Sequence, residues 1–226
     1  MEIREPGDFE FGVATSAWQI EGDIAGRGRC TWDDFSETPG KVVDGATGAT
    51  ACDHVNRLDE DLDLLTWLGV DAYRFSISWP RVMPEGRGAL SASGLAFYDR
   101  LVDGLLARGI TPVATLYHWD LPSPLENEGG WVNRATAESF AEYAEAMANH
   151  FAGRITRWAT LNEPWCTAFL GYCSGYFAPG RTEPGASLEA AYNLILGHGL
   201  AVDRMRAAGA TNVGIVLNLI PIVSES

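Results

Sequence analysis

The segment from Thr160 to Pro164 (TLNEP) places a carboxylate at the end of a short apolar run. Residues 158–161 are typical of a buried strand, and Pro164 ends the ladder because its nitrogen cannot donate a hydrogen bond. The residue before a proline is pushed toward extended conformations, so Glu163 is expected at the strand end. A glutamate held beside an amide that can bind a hydroxyl group is the arrangement that sugar chemistry needs. From these five residues alone, a surface glutamate on a loop is an equally weighted alternative.

Strand-like and helix-like segments alternate along the sequence and must position this carboxylate. The strands are predicted at 11–17, 72–77, 111–117, 157–162 and 213–219, and the helices at 53–68, 93–107, 136–151 and 187–208. Three of the helices end near a glycine (Gly109, Gly153 and Gly209), where a left-handed cap is expected. Strict alternation of this kind predicts a parallel sheet with right-handed crossovers.

The long connections follow the strands, and the short ones follow the helices. This asymmetry is typical of an α/β fold of the (β/α)8 TIM barrel type, whose working face is built from the βα loops. A doubly wound open sheet is the alternative, but no glycine-rich phosphate loop follows the first strand. In the second strand, apolar Tyr73 and Phe75 alternate with polar residues. Arg74 is therefore expected to point into the barrel, where it needs an anion nearby.

The number of βα units is smaller than a closed barrel requires. The sequence supplies about the first four units plus a fifth strand, whereas a closed barrel has eight strands. Residues 1–226 are therefore predicted to be the N-terminal part of a single (β/α)8 barrel domain. The fifth strand would then be an exposed edge.

Composition and charge exclude several classes of partner. The formal net charge is −14, which argues against nucleic acid and against an anionic membrane, because both require clustered Lys and Arg. No apolar run is long enough to span a bilayer, and no signal-like segment opens the chain. The four cysteines lack CxxC spacing, which predicts reduced thiols in a cytoplasmic protein, with a Cys166–Cys173 pair as the minor alternative.

Five segments in order along the chain carry a more specific signal. They are Phe11–Gly22 (FGVATSAWQIEG), Tyr73–Arg81 (YRFSISWPR), Thr115–Pro122 (TLYHWDLP), Gly129–Arg134 (GGWVNR) and Thr160–Pro164 (TLNEP). With these segments the sequence closely resembles glycoside hydrolase family 1, the retaining β-glucosidases and β-galactosidases. Any one segment is suggestive, since Asn-Glu-Pro also occurs in other barrel glycosidases, but five in order are highly specific.

The resemblance implies a role for several residues at the strand ends. Glu163 would be the general acid/base, and Asn162 would hold the sugar 2-hydroxyl through a hydrogen bond that strengthens in the transition state. Simple alternation puts these two side chains on opposite faces, so a bulge or twist at the strand end is required for both to reach the substrate.

The resemblance also implies a set of sugar-binding residues. Gln19, His118 and Trp119 would grip the non-reducing sugar, with Gln19 offering a donor and an acceptor and the two rings offering N–H donors. A satisfied core histidine is the alternative for His118, and packing alone is the alternative for Trp119. Asn218 would face the leaving-group side. Trp18, Trp79 and Trp131 are expected to be scaffold.

Arg74 matches the arginine that pairs with the nucleophilic carboxylate of the family. Retention of configuration needs two carboxylates roughly 5–5.5 Å apart. In the family the nucleophile is a second glutamate on a later strand, which this sequence does not contain, so the resemblance covers about half of a family member. No metal or cofactor is implied, because two carboxylates suffice for the reaction.

The expected function is hydrolysis of a small-molecule substrate, a terminal β-linked glucoside or a related glycoside, with retention. One alternative is another retaining barrel glycosidase, against which Gln19 and the His118-Trp119 pair argue. A second is an incomplete half-barrel that binds sugar without turnover, and a third is self-association or pairing with a missing C-terminal half. The choice between glucose and galactose, and the aglycone, stay open.

Overall fold

A computed structural model describes residues 9–219 and shows one five-stranded parallel sheet in this part of the chain. The strands are β1 (Gly12–Ala14), β2 (Ala72–Ser76), β3 (Thr111–Tyr117), β4 (Arg157–Asn162) and β5 (Asn212–Val216). They lie in the order β1-β2-β3-β4-β5, and every neighbouring pair is parallel. The arrangement is a partial α/β barrel, as the alternation of elements predicts.

Four long helices form the crossovers between consecutive strands. They are α1 (Leu58–Leu68), α2 (Ala92–Ala107), α3 (Arg134–His150) and α4 (Pro184–Ala207). The βα loops contain shorter helical segments at Ala17–Ile20, Ile24–Gly26, Thr31–Glu37, Val43–Gly45, Trp79–Val82, Ser123–Asn127 and Gly130–Val132, and a π-helix at Cys166–Cys173. All of these segments lie in connections that follow a strand, which is the side of a barrel where active sites are built.

The predicted elements are confirmed, with changes at their ends. β3 and β4 have the predicted bounds, whereas β1 is much shorter than 11–17 because the chain turns into a helix at Ala17. α1 begins at Leu58 rather than at residue 53, since residues 53–57 form turns. Gly109, Gly153 and Gly209 all have positive φ, as expected for left-handed positions after a helix.

The core lies between the outer face of the sheet and the four long helices. Tyr73, Phe75 and Ile77 are buried there, as their alternation predicts. The Tyr143 hydroxyl of α3 donates to the carbonyl oxygens of Ile77 and Leu116, both at 3.0 Å. Helix packing therefore fixes the ends of β2 and β3, the strands that carry Arg74 and His118.

The two edge strands differ from the central ones. β3 and β4 are almost fully buried, whereas no residue of β1 or β5 is buried. The prediction of β5 as an exposed edge is thus confirmed. All four cysteines are free, and none of the helices described here is long and apolar enough to cross a membrane. The cytoplasmic location stays a prediction.

Candidate active site

Glu163 follows the last residue of β4 and has a constrained backbone. Its φ is 49°, a left-handed value that is uncommon for a residue other than glycine, and not the extended conformation predicted from Pro164. Its N–H donates to the Val216 carbonyl oxygen of β5 at 2.8 Å, and its own carbonyl accepts from Cys166 N–H at 2.9 Å. Cross-strand and helical hydrogen bonds offset the local strain. The side chain is half-buried.

Asn162 ends β4 beside a register shift. Ala159 pairs with Gly214 and Asn162 with Val216, so β4 contains one residue more than β5 between these pairs. This is the irregularity that the sequence requires if Asn162 and Glu163 are to act together. The Asn162 side chain is buried, and its Oδ1 has no hydrogen-bond partner in residues 9–219. A buried oxygen of this kind is a ready acceptor for a ligand hydroxyl group.

Trp119 connects the end of β3 to the end of β4. Its indole N–H donates to the Asn162 carbonyl oxygen at 2.9 Å, across neighbouring strands. In this structure the N–H is therefore donated to the protein backbone, and the expectation that it binds a sugar stays a prediction. The ring face remains available for packing against a ligand.

His118 directly follows β3, and Arg74 on the neighbouring strand β2 acts on it. Burial, together with the Arg74 charge, lowers the pKa of His118 to about 4. The ring is therefore neutral at neutral pH, and its Nδ1 is buried without a hydrogen-bond partner in residues 9–219. A satisfied core histidine, the alternative considered for this position, does not fit that unpaired nitrogen.

Arg74 is half-buried, and desolvation lowers its pKa while the Glu163 charge raises it. Glu163 is the single carboxylate of residues 9–219 whose charge acts on Arg74. No salt bridge within those residues includes Arg74. A half-buried arginine in this situation is suited to an additional anion.

A cavity of about 210 Å³ contains the predicted sugar-binding residues Gln19, His118 and Trp119. Ser16 Oγ donates to Gln19 Oε1 at 2.7 Å, which orients the amide and leaves its N–H groups free to donate. The remaining lining residues are Ser16, Trp18, Trp32 and Phe177. Three loops from different strands thus meet around one aromatic-walled space.

A buried ionic network fixes the first of these loops. Arg81 Nε donates to Glu21 Oε2 at 2.8 Å, with both side chains almost fully buried. The Tyr98 hydroxyl of α2 donates to the other oxygen of Glu21, and Arg81 also reaches the Gly22 carbonyl oxygen at 3.0 Å. Glu21 therefore ties the loop that carries Gln19 to the loop after β2.

Asn218 does not lie among the lining residues of the cavity. Its Nδ2 is 3.4 Å from Cys166 Sγ, and Cys166 Sγ is 3.2 Å from Glu163 Oε2. The structure therefore brings together two groups of predicted residues. Gln19, His118 and Trp119 share the cavity, and Asn162, Glu163 and Asn218 lie around the end of β4.

Four residues that contribute to the site were not predicted from the sequence. Trp18 lines the cavity although it was expected to be scaffold, as Trp79 and Trp131 are, and Trp32 and Phe177 complete the aromatic wall. The number of tryptophans in the long βα loops was the available signal. Cys166 contacts Glu163. The sequence signal for this contact was the spacing of three residues, with a proline between them that starts a helix.

The fold and these residues define a class: a partial (β/α) barrel with a candidate site at the carboxyl ends of its strands. Residues 1–225 match the model of glycosyl hydrolase family 1. The chain belongs to this family, as the resemblance of its motifs predicts.

Relatives and solved structures agree with this assignment. The chain is 51% identical to Thermostable beta-glucosidase B of Thermobispora bispora over 98% of its own length and 46% of that protein's. It is 48% identical to Beta-glucosidase A of Thermotoga maritima, covering 96% of the chain and 50% of the relative. A structure of the family 1 β-glucosidase from Thermotoga maritima superposes with a TM-score of 0.93 over 95% of this chain and 49% of that chain. The same enzyme in complex with deoxynojirimycin gives a TM-score of 0.92.

The chain thus spans about half the length of the curated relatives that it matches.

Proposed function

We propose that residues 1–226 are the N-terminal part of a single (β/α)8 barrel domain of a retaining β-glycosidase. The substrate would be a terminal β-linked glucoside or a related small glycoside. The observation that carries this proposal is that His118, Asn162 and Glu163 lie at the carboxyl ends of β3 and β4, with Arg74 on the adjacent β2. The β-glucosidase names of the relatives support the choice of substrate class.

In the proposed reaction, Glu163 donates its proton to the glycosidic oxygen while a second carboxylate attacks the anomeric carbon. The bond to the leaving group breaks, and a covalent glycosyl intermediate forms. Glu163, now ionised, removes a proton from water while the water oxygen attacks the anomeric carbon. The bond to the second carboxylate breaks, which releases the sugar with retained configuration and restores both carboxyl groups. No metal or cofactor takes part in this scheme.

The nucleophile would come from outside residues 9–219. Glu163 is the one carboxylate in that part of the chain whose charge acts on Arg74, and it is assigned to proton transfer. Arg74 would pair with the incoming carboxylate, since its guanidinium takes part in no salt bridge of the described residues. The pairing would compensate both charges at the base of the site.

The remaining roles concern the sugar. Asn162 Oδ1 would accept a hydrogen bond from the 2-hydroxyl, because this buried oxygen has no partner among residues 9–219. Gln19 and the neutral His118 ring would bind further hydroxyl groups, and Trp119 would pack its face against the ring. Asn218 would lie on the leaving-group side.

The test is hydrolysis of an aryl β-glucoside by the chain alone and by a chimera. In the chimera, this sequence is followed by the C-terminal half of the Thermobispora bispora enzyme, which would supply the second carboxylate. We expect turnover by the chimera and a fall of about 10²–10⁴-fold in Glu163→Gln, the range for losing a general acid/base. Glu142→Gln on the exposed surface of α3 is the matched control. Equal activity in the native and Glu163→Gln chimeras would refute the assignment.

A second candidate function is binding without turnover, in a half-barrel that associates with another chain. It is favoured by apolar surface on the two outermost helices. On α1, Trp67 is 80% exposed, and on α4, Tyr192 is 65% exposed. Further exposed apolar residues on the same helices are Leu64, Leu68, Leu188 and Ile195. Surfaces of this kind mark association sites.

Light scattering of the purified chain tests this candidate. A second copy, or a separate C-terminal half, would cover the two helices and close the edges at β1 and β5. We expect a dimer that dissociates in the double variant Trp67→Lys/Tyr192→Lys and persists in Glu142→Lys. A monomer at all concentrations would exclude self-association and leave pairing with a C-terminal half.

A further inference from the structure

The carboxyl group of Glu163 has one polar side-chain partner in residues 9–219, the thiol of Cys166. The Sγ–H donates to Glu163 Oε2 at 3.2 Å. Cys166 is 4% exposed and is the first residue of the π-helix Cys166–Cys173. Behind it, Asn218 Nδ2 donates to Cys166 Sγ at 3.4 Å. The three side chains form a short chain of hydrogen bonds that ends on the carboxylate.

The local backbone explains why the thiol reaches this carboxylate. Pro164 begins the helical turn after Glu163, and Cys166 N–H donates to the Glu163 carbonyl oxygen at 2.9 Å. The turn places the side chain three residues later on the same face as Glu163. Since the backbone of Glu163 is held from both sides, the freedom that remains is the rotation of its side chain. Cys166 is the group that restrains this rotation.

A thiol has properties that suit such a role. Its S–H is a weak donor and its sulfur a weak acceptor, so it holds a carboxyl group without strongly favouring the ionised form. A hydroxyl group at the same place would donate a shorter, stronger bond to the carboxylate. An acid that must give up and regain its proton in each cycle needs both forms within reach.

We propose that Cys166 is a positioning residue that orients the Glu163 carboxyl group for proton transfer, with Asn218 orienting the thiol in turn. This inference rests on the proposed function and deepens it. It also gives Asn218 a role through Cys166 and Glu163, in place of the direct substrate contact that the sequence predicts. The thiol stays reduced and forms no bond to the substrate.

The contacts of the Cys166 thiol can be measured through its pKa, because the groups around it shift that pKa. Burial raises the pKa of the Cys166 thiol, the Asn218 amide lowers it, and the Glu163 carboxylate raises it. The Glu163 charge also acts on Arg74, whose pKa it raises. Removing the Glu163 charge should therefore lower the pKa of Cys166, and removing the Asn218 amide should raise it.

The first experiment uses the chain alone and requires no turnover. Iodoacetamide alkylation of Cys166 is followed by mass spectrometry across pH, and the midpoint of the rate–pH curve is compared between variants. Accessibility scales the plateau of this curve but not its midpoint, because the thiolate is the reacting form. Each alkylation rate is divided by the plateau rate of the same variant, and the variants are compared with the native chain at one pH below the midpoint. We expect this relative rate to be about three- to tenfold higher in Glu163→Gln and lower in Asn218→Ala. The exposed Cys52, read in the same samples, is the control.

Two results of this experiment would overturn the proposal. One is a Cys166 midpoint that neither variant moves, which would show that the contacts do not persist in solution. The other is a Cys166 midpoint equal to that of Cys52 in the native chain. Glu163→Gln has nearly the same shape as the native residue, so the fold is preserved in the decisive variant.

The second experiment uses the chimera. Cys166→Ala should lower kcat about tenfold with KM within about twofold, since misplacing a catalytic group affects the chemical step. Cys166→Ser, which keeps a donor at the same place, should restore kcat. Glu163-dependent turnover with an unchanged kcat in Cys166→Ala would overturn the positioning role. Turnover in the Glu163→Gln chimera equal to that of the native chimera would instead refute the proposed function. The alkylation experiment requires no turnover, so its result would still test the contacts of Cys166.

Discussion

The cavity around Gln19, His118 and Trp119 and the strand end around Glu163 are built from the same set of βα loops, yet they differ in completeness. The cavity has a continuous aromatic wall, and the loop that carries Gln19 is anchored by the Glu21–Arg81 pair. At the strand end, Arg74 takes part in no salt bridge within residues 9–219, and Asn162 Oδ1 has no partner there. The first four βα units therefore build a sugar-sized recess, whereas the proposed chemistry needs a further anion.

The largest expected effect is on stability, and it concerns the Glu21–Arg81 pair that anchors the cavity. Arg81→Met leaves Glu21 as an uncompensated buried charge, which should lower the free energy of unfolding by about 3–5 kcal/mol. Urea denaturation gives this value directly. The control is Arg57→Met, which removes an exposed ion pair with Glu60 and should cost far less, because water screens that pair. Equal costs for the two variants would contradict the assignment of Glu21–Arg81 as an anchor.

The next effect concerns Asp120, which directly follows Trp119 in the chain. Its side chain is almost fully buried, and burial raises its pKa to about 7, although the Ser78 hydroxyl group lowers it. The ordinary value is about 3.9, so between these pH values the folded chain holds a proton that the unfolded chain has released. The free energy of unfolding should therefore fall as pH rises from about 4 to about 7. Glu21 and Arg27 are the charged groups that act on Asp120.

Asp120→Asn removes this titration and is the corresponding test. We expect the variant to lose less stability than the native chain between pH 5 and pH 8, by on the order of 2 kcal/mol, measured by urea denaturation at both pH values. Asp63→Asn, at an exposed position, serves as the matched control. Parallel pH dependence in the native and Asp120→Asn chains would show that Asp120 is ionised throughout.

A smaller effect sharpens the comparison by measuring sugar binding in the chain alone. Gln19→Ala should weaken the binding of methyl β-glucoside by about two- to tenfold, the usual range for one hydrogen bond. Binding is measured by NMR titration, with the exposed Asn149→Ala as control. An unchanged dissociation constant would show that the cavity is not the binding site.

The smallest effect is a titration. Because the pKa of His118 is lowered to about 4, its ring should keep the NMR shifts of neutral imidazole from pH 8 down to about 5. In this range the unfolded chain takes up a proton that the folded chain does not, so stability falls as pH falls below about 6.5. Arg74→Gln should move the titration upward, because the Arg74 charge contributes to the shift. A midpoint near 6.5 in the native chain would contradict this description.

Local patterns predicted most of the fold and part of the site. The alternation in β2 indicated which side chains pack under the helices, and the glycines after the helices marked their ends. The need for an irregularity at Asn162 and Glu163 followed from strand alternation, but its form, an extra residue in β4 and a left-handed Glu163, did not. The backbone partner of the Trp119 N–H could not be predicted, because it lies on another strand, 43 residues away.

By itself, the sequence determined the order of the elements, the family and the residue types at the strand ends. These properties depend on periodicity and on short motifs, which neighbouring residues encode. Only the tertiary structure decided which polar atoms already have partners. It showed that Trp119 N–H is used by the backbone, that Arg74 lacks a salt bridge within residues 9–219, and that Cys166 contacts Glu163. The physical reason is that hydrogen bonds and burial depend on distances through space. For loops that are far apart along the chain, the sequence does not indicate these distances.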